Sequence, residues 1–173
     1  MARPEQGTRV YLGGTINVAW IQDAHLDEAG QPVAVFSVQR DPGTLRPADP
    51  ASGQDHRYHY ARWDGTNWHQ HEIAHAGTRL YPKEDDYTGL IVIDPDDTNI
   101  VCLSTDADPT TGKPLISRAD GQRHYEIYRG VTRDRGATFE WTALTRDSNA
   151  DNIRPLSRSG TRSTPPSCGS VAP

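Results

Sequence analysis

Side chains able to move protons or grip anions gather in three stretches of this 173-residue chain. The first is His25, within Asp23-Ala24-His25-Leu26-Asp27. The second is the run His56-Arg57-Tyr58-His59-Tyr60. The third runs from Arg79 to Tyr87 and holds Arg79, Tyr81, Asp85, Asp86 and Tyr87. Histidine titrates near neutrality and serves as acid or base, and tyrosine can hand a proton to a leaving oxygen. An Arg guanidinium grips a carboxylate through two parallel N–H bonds. Paired carboxylates such as Asp85-Asp86 suit glycoside hydrolysis or, with carbonyls, a structural Ca²⁺ ion. Neighbours in a strand, however, point to opposite faces.

Each of these groups has a plainer fate. A His or Tyr on the buried face of a strand is a packing residue, which applies to His56, His59, Tyr58 and Tyr60. His25 precedes a turn and can simply close a hairpin. Arg79 can pair with Glu84 or Asp85, and Asp85-Asp86 can cap a turn. His69, His71 and His75 resemble a metal cluster at first sight. His69 and His71 share a strand face, but no third ligand is evident, so a solvated face fits better than a zinc site and no metal is assigned. Trp63, Trp68 and Trp141 can stack on sugar rings, although their placement at hairpins favours packing between strands.

The elements that must position these groups are strands. Hydrophobic residues are 34% of the chain and charged residues 24%, with a formal charge of −5, while 15 Gly and 13 Pro mark a loop-rich fold. The length is that of one domain or part of one. No apolar run approaches the roughly 18 residues that span a bilayer, and no heptad persists. The acidic balance lacks the basic stripe of a nucleic-acid binder. Neither membrane nor nucleic acid is therefore expected as a partner. Met1-Ala-Arg-Pro-Glu-Gln has no apolar h-region, so no signal peptide is expected in this chain. Cys102, in Ile100-Val101-Cys102-Leu103, reads as a small core residue, and a disulfide with Cys168 is not expected.

Eight strands are predicted: Val18–Gln22, Val33–Gln39, Arg57–Trp63, Trp68–Ala74, Thr88–Ile93, Ile100–Ser104, Tyr125–Thr132 and Thr138–Thr145. Alternation is clearest in the third, where Tyr58, Tyr60 and Arg62 share one face and His59, Ala61 and Trp63 the other. Asp64-Gly65 supplies a hairpin turn there, and Asp94-Pro95-Asp96-Asp97 another. Gly43–Asp55 and Thr105–Arg123 are long polar connections. The strands fall into two antiparallel meanders, about residues 17–76 and 85–146, each the size of a β-propeller blade. Two blades do not close a ring, since propellers take about 4–8. A single eight-stranded sandwich is the alternative that needs no further parts.

Thr132-Arg133-Asp134-Arg135-Gly136-Ala137-Thr138-Phe139 fits the Asp-box pattern Ser/Thr-x-Asp-x-Gly-x-Thr-Trp/Phe. Asp134 is placed to accept backbone N–H groups of a tight turn, Gly136 to supply a positive φ, and Phe139 to tuck under the hairpin. Residues from about 23 to 155 resemble the BNR-repeat family of neuraminidase-like (sialidase-like) propellers. The resemblance is carried by Asp23–Asp27 with Gly30–Val33, by His56–Gly65, and by Trp68 with His71–Ile73. It continues through Gly77–Tyr81, Glu84–Gly89, Ser104–Pro109, His124–Ile127 and Asp151–Pro155. That group is similar to the propellers of some polysaccharide lyases, including ulvan lyases. The resemblance implies an all-β fragment of a sialidase-like propeller, residues 17–155, with the remaining blades as its missing partners. It implies a carbohydrate-active protein of lyase or glycosidase ancestry, inactive alone, with a polysaccharide or glycan as ligand and no cofactor. The alternative is a non-catalytic glycan-binding or structural module. Relatives of full length are expected to be secreted.

Uronate-cleaving lyases need a cation on the substrate carboxylate, a base for the adjacent C–H and an acid for the leaving oxygen. The resemblance assigns these catalytic roles to Arg79 with His25, His56, Tyr58 and Tyr87, and substrate binding to Tyr60, Tyr81, Asp85 and Asp86. Residues 1–16 form an N-terminal extension. After Pro155 the pattern vanishes, and residues 156–173 read as a disordered tail or as the product of a shifted reading frame.

Overall fold

The computed structural model describes residues 9–13, 17–41, 51–157 and 168–170. Parts of the N-terminal extension, of the Gly43–Asp55 loop and of the tail lie outside the described residues. Ten strands are present: β1 (Val18–Leu26), β2 (Pro32–Gln39), β3 (His56–Trp63), β4 (Trp68–Gly77), β5 (Ile91–Ile93), β6 (Ile100–Thr105), β7 (Glu126–Val131), β8 (Glu140–Ala143), β9 (Pro155–Ser157) and β10 (Cys168–Ser170). They form two four-stranded antiparallel sheets, in the orders β1-β2-β3-β4 and β5-β6-β7-β8, and a two-stranded ribbon of β9 and β10. No helix occurs among the described residues.

All eight predicted strands are found. The fifth is shorter than predicted, because Thr88 hydrogen-bonds the Ala76 and Thr78 carbonyls through its hydroxyl and Leu90 adopts a positive φ. Those two commitments end the regular ladder before Ile91, leaving only the Leu90 carbonyl to take the Ser104 N–H at 2.9 Å.

Alternation in β2 and β3 buries both faces of the first sheet. Val33, Val35, Tyr58 and Tyr60, with Ala74 and Ala76 of β4, pack against Ile91, Ile93, Val101 and Leu103 of the second sheet. Phe36, Val38 and Ala61 point the other way and meet Val10, Tyr11 and Trp68. Burying that much apolar surface is the main force holding the sheets together. Tyr58 and Tyr60 bring hydroxyls into this core, and each donates to a backbone carbonyl, of Ser104 (2.8 Å) and Thr98 (2.9 Å).

A polar seam joins the sheets along β5. A bulge between Ile21 and Asp23 re-aims β1. Gln22 then accepts the Ile91 N–H at 2.7 Å, and Asp23 accepts the Ile93 N–H at 2.9 Å. These are open-edge donors of the second sheet, satisfied by side chains of the first. In the same way β9 lies against β5 and β6, as β5 lies against β1 and β2. Ser157 of β9 donates to Asp94 at 2.9 Å.

One end of the two sheets carries four short turns, each built on an aspartate. Asp27, Asp64, Asp94 and Asp134 accept backbone N–H groups two to four residues ahead. The Asp134 turn joins β7 to β8 with the bonding that the Asp-box pattern implies. Asp134 takes the Thr138 N–H (2.9 Å) and hydroxyl (2.6 Å), Gly136 has φ +99°, and Phe139 lies edge-on to Tyr60 at 5.5 Å. The β4–β5 and β6–β7 connections lie at the opposite end.

Cys102 is disulfide-bonded, which corrects the expectation of a free core residue. The chain's other cysteine, Cys168, begins β10. The tail sequence has no period to announce this, but β9 and β10 fold the chain back beside β6, where Cys102 sits.

Candidate functional site

At the long-loop end the connection from β4 to β5 folds on itself. Leu80 N–H donates to the Tyr87 carbonyl at 2.7 Å, Tyr81 and Glu84 pair in a bridge, and Lys83 takes a positive φ at the tip. This small hairpin sets the Tyr81 and Tyr87 rings in a stack with centroids 5.8 Å apart. Tyr87 in turn meets the Trp20 indole edge-on at 6.4 Å. Asp86 accepts the Trp20 Nε1–H at 2.7 Å and fixes the indole. Trp20 stays 49% exposed and Tyr81 39% exposed, so the three rings form an open aromatic surface. A shallow hollow of about 210 Å³ runs beside it, floored by Gln22 and Ser37.

Asp85 and Asp86 lie in a turn rather than a strand and take different partners. Asp86 holds Trp20, whereas Asp85 is ion-paired with Arg79, both side chains being mostly covered. Arg79 is further fixed by its N–H, which donates to the Gly53 carbonyl at 2.6 Å. Its Cβ and Cδ would stand only 2.9 Å from a Cβ at residue 53, so glycine is needed there for the loops to meet.

The remaining predicted residues are placed elsewhere. His56 is fully buried beneath this loop, and neither ring nitrogen has a hydrogen-bond partner among the described residues. Burial lowers its pKa, outweighing the opposing pull of Asp41 and of the Asp85 and Gly77 carbonyls. Tyr58 and Tyr60 are closed in the core, and burial raises the pKa of both. Tyr60 also accepts a bond from Arg62 at 2.8 Å. His25 lies along β1 from Trp20, opposite Val33 where Trp20 is opposite Ser37, about 13 Å away at ~3.3 Å per residue, and contacts Asp23 at 3.3 Å. The structure thus brings together Arg79, Tyr81, Asp85, Asp86 and Tyr87, with His56 below them, and separates His25 from the set.

Two histidines have partners that bear on metal binding. His69 bonds Asp64 at 2.6 Å, and His75 contacts Arg57 at 3.4 Å. Among the described residues no three His, Cys, Asp or Glu side chains are grouped to hold a metal ion.

Sequence reasoning missed Trp20. Its run, Val18-Ala19-Trp20-Ile21, reads as an ordinary strand. The available signal was four apolar residues in succession, which an edge strand with one wet face does not need. Comparison of the chain with protein-family models, with curated proteins and with solved structures finds no match.

Proposed function

We propose that this chain is two successive blades of a sialidase-like β-propeller, and that it binds a glycan on the Trp20–Tyr81–Tyr87 surface. The observation that carries the reading is that surface itself: two aromatic rings 39–49% exposed, held in place by a carboxylate and a third ring. Aromatic faces take up the apolar faces of sugar rings, and flanking carboxylates take up hydroxyls. The propeller reading is supported by the Asp-box turn, by the two sequential meanders and by the repeated step from β1 to β5 to β9.

Binding is a better fit than turnover for this chain alone. Arg79 is already paired with Asp85, Tyr58 is shut in the core, and His25 stands about 13 Å from Trp20 along a strand. Lyase or glycosidase chemistry would need groups from the missing blades.

The test is calorimetric titration of the full chain with a panel of neutral and uronate polysaccharides, alongside Trp20→Ala and Tyr81→Ala. Binding that both substitutions weaken at least about tenfold, with the urea midpoint little changed, is the expected result. Binding that survives both substitutions, or no binding to any member of the panel, overturns it.

A further inference from the structure

The two sheets meet along β5, and the β6–β7 connection runs beside β4 and over β7 and β8. That connection is well fastened. His75 N–H donates to the Pro109 carbonyl at 2.9 Å, and the Arg118 backbone and guanidinium hold Asp147 through three bonds of 2.6–3.0 Å. His124 bridges Asp120 (2.8 Å) and Asp151 (3.2 Å). Between the connection and β7–β8 remains a cleft of about 510 Å³, within the size range of small-ligand pockets. It is separate from the Trp20 surface, and every lining residue belongs to the segment Asp108–Asp147.

Two aromatic rings, Tyr128 and Trp141, line the cleft. The Trp141 ring lies across Gly130, where any larger residue would collide with it, and stacks on Phe139 at 5.5 Å. Its orientation is therefore set before any ligand arrives. The charges on the wall divide unequally. Asp108 accepts the N–H groups of Thr110 and Thr111 and the Thr111 hydroxyl. Glu126 accepts the Ser148 N–H and hydroxyl, both at 2.9 Å. Asp147 is taken by Arg118. Arg146 is exposed and makes no hydrogen bond or ion pair with the described residues, its charge reaching Asp147 and Tyr128 only through space. Every carboxylate on the wall thus has its donors, and one guanidinium keeps its fork open.

We propose that this cleft is a second binding site, specific for an anionic sugar. The ring would lie against Trp141 and Tyr128, and its carboxylate or sulfate would take the two parallel N–H bonds that Arg146 offers. A neutral hydroxyl in place of the acid would leave the Arg146 fork to solvent.

The test records ¹⁵N–¹H spectra of the full chain during titration with a uronate oligosaccharide, a sulfated oligosaccharide and a neutral one of equal length. The Trp141 indole and the Gly130 amide are followed. Saturable shifts at both with either anionic ligand are expected, the one giving them identifying the acid, and the neutral ligand should bind at least about tenfold more weakly. Arg146→Ala should weaken anion binding about tenfold while leaving the rest of the spectrum in place. Trp20→Ala should leave these shifts unaltered, so that failure of the other site is read independently. Absence of saturable shifts with both anions overturns the proposal, as does equal binding of the neutral ligand or indifference to Arg146→Ala.

Discussion

The Gln22 carboxamide, raised on a strand bulge, accepts the backbone N–H of Ile91 in the other sheet at 2.7 Å. Ile91 is wholly buried, so without this acceptor its N–H has no solvent to turn to. Gln22→Ala should cost about 1–3 kcal/mol in urea unfolding, the penalty of an orphaned buried donor. Gln22→Glu keeps an acceptor and should cost less. Equal losses for the two would show that the bond is not what joins the sheets.

Gly136 in the Asp-box turn combines φ +99° with close approach to the Tyr60 ring. Tyr60 is fully buried and hydrogen-bonded, so it has nowhere to move. Gly136→Ala should destabilise by roughly 2–4 kcal/mol, from backbone strain and overpacking together. Thermal unfolding of this variant beside Gly65→Ala separates the two contributions. Gly65 has the same φ of +99° but nothing within 4 Å of its added Cβ, so it reports backbone strain alone.

His59 is stacked on Phe36 at 5.2 Å, and burial lowers its pKa from 6.5 to about 4, aided by Arg40 and Arg57 and opposed by Glu72. The folded state therefore holds the ring neutral while the unfolded chain protonates it. That contribution to stability is complete above pH 6.5 and is lost as pH falls through about 4, a change of order 3 kcal/mol. Urea midpoints measured across this range should fall less steeply for His59→Phe than for the parent, because the carboxylates are common to both. Parallel curves would refute the assignment.

Cys102 lies in a fully buried strand and is disulfide-bonded. Reductant should lower the free energy of unfolding by about 2–4 kcal/mol, read from the urea midpoint and slope. Cys102→Ala should match the reduced protein and show no further response to reductant.

Much of the sheet order was legible because alternation and turn chemistry act locally. Asp64-Gly65 and the Asp134 turn close their hairpins through bonds within five residues, so the sequence alone points to them. The partners of Arg79 and Asp85 were also within reach, being six residues apart. What lay beyond reach was set by distant packing. Nothing near Trp20 announces Asp86, 66 residues later, as its hydrogen-bond partner. His56 looked like a candidate acid or base, yet a neighbouring loop seals it in. Nothing in the apolar run around Cys102 announces that it is disulfide-bonded. Local rules located the strands, and the approach of one sheet to another decided which side chains stayed open to solvent.

The β4 strand is the outermost member of its sheet; among the described residues no strand pairs with its outer edge, which the Pro109 carbonyl touches only at the His75 N–H. Along it stand His69, His71, Glu72 and His75, with Gln70 between. Such residues discourage another molecule from adding its own strand, because each addition would press polar and ionisable groups into a dry seam. Self-association into fibrils should thus be guarded against along β4, while the apolar run of β1 leaves the opposite rim as the place where such growth would start.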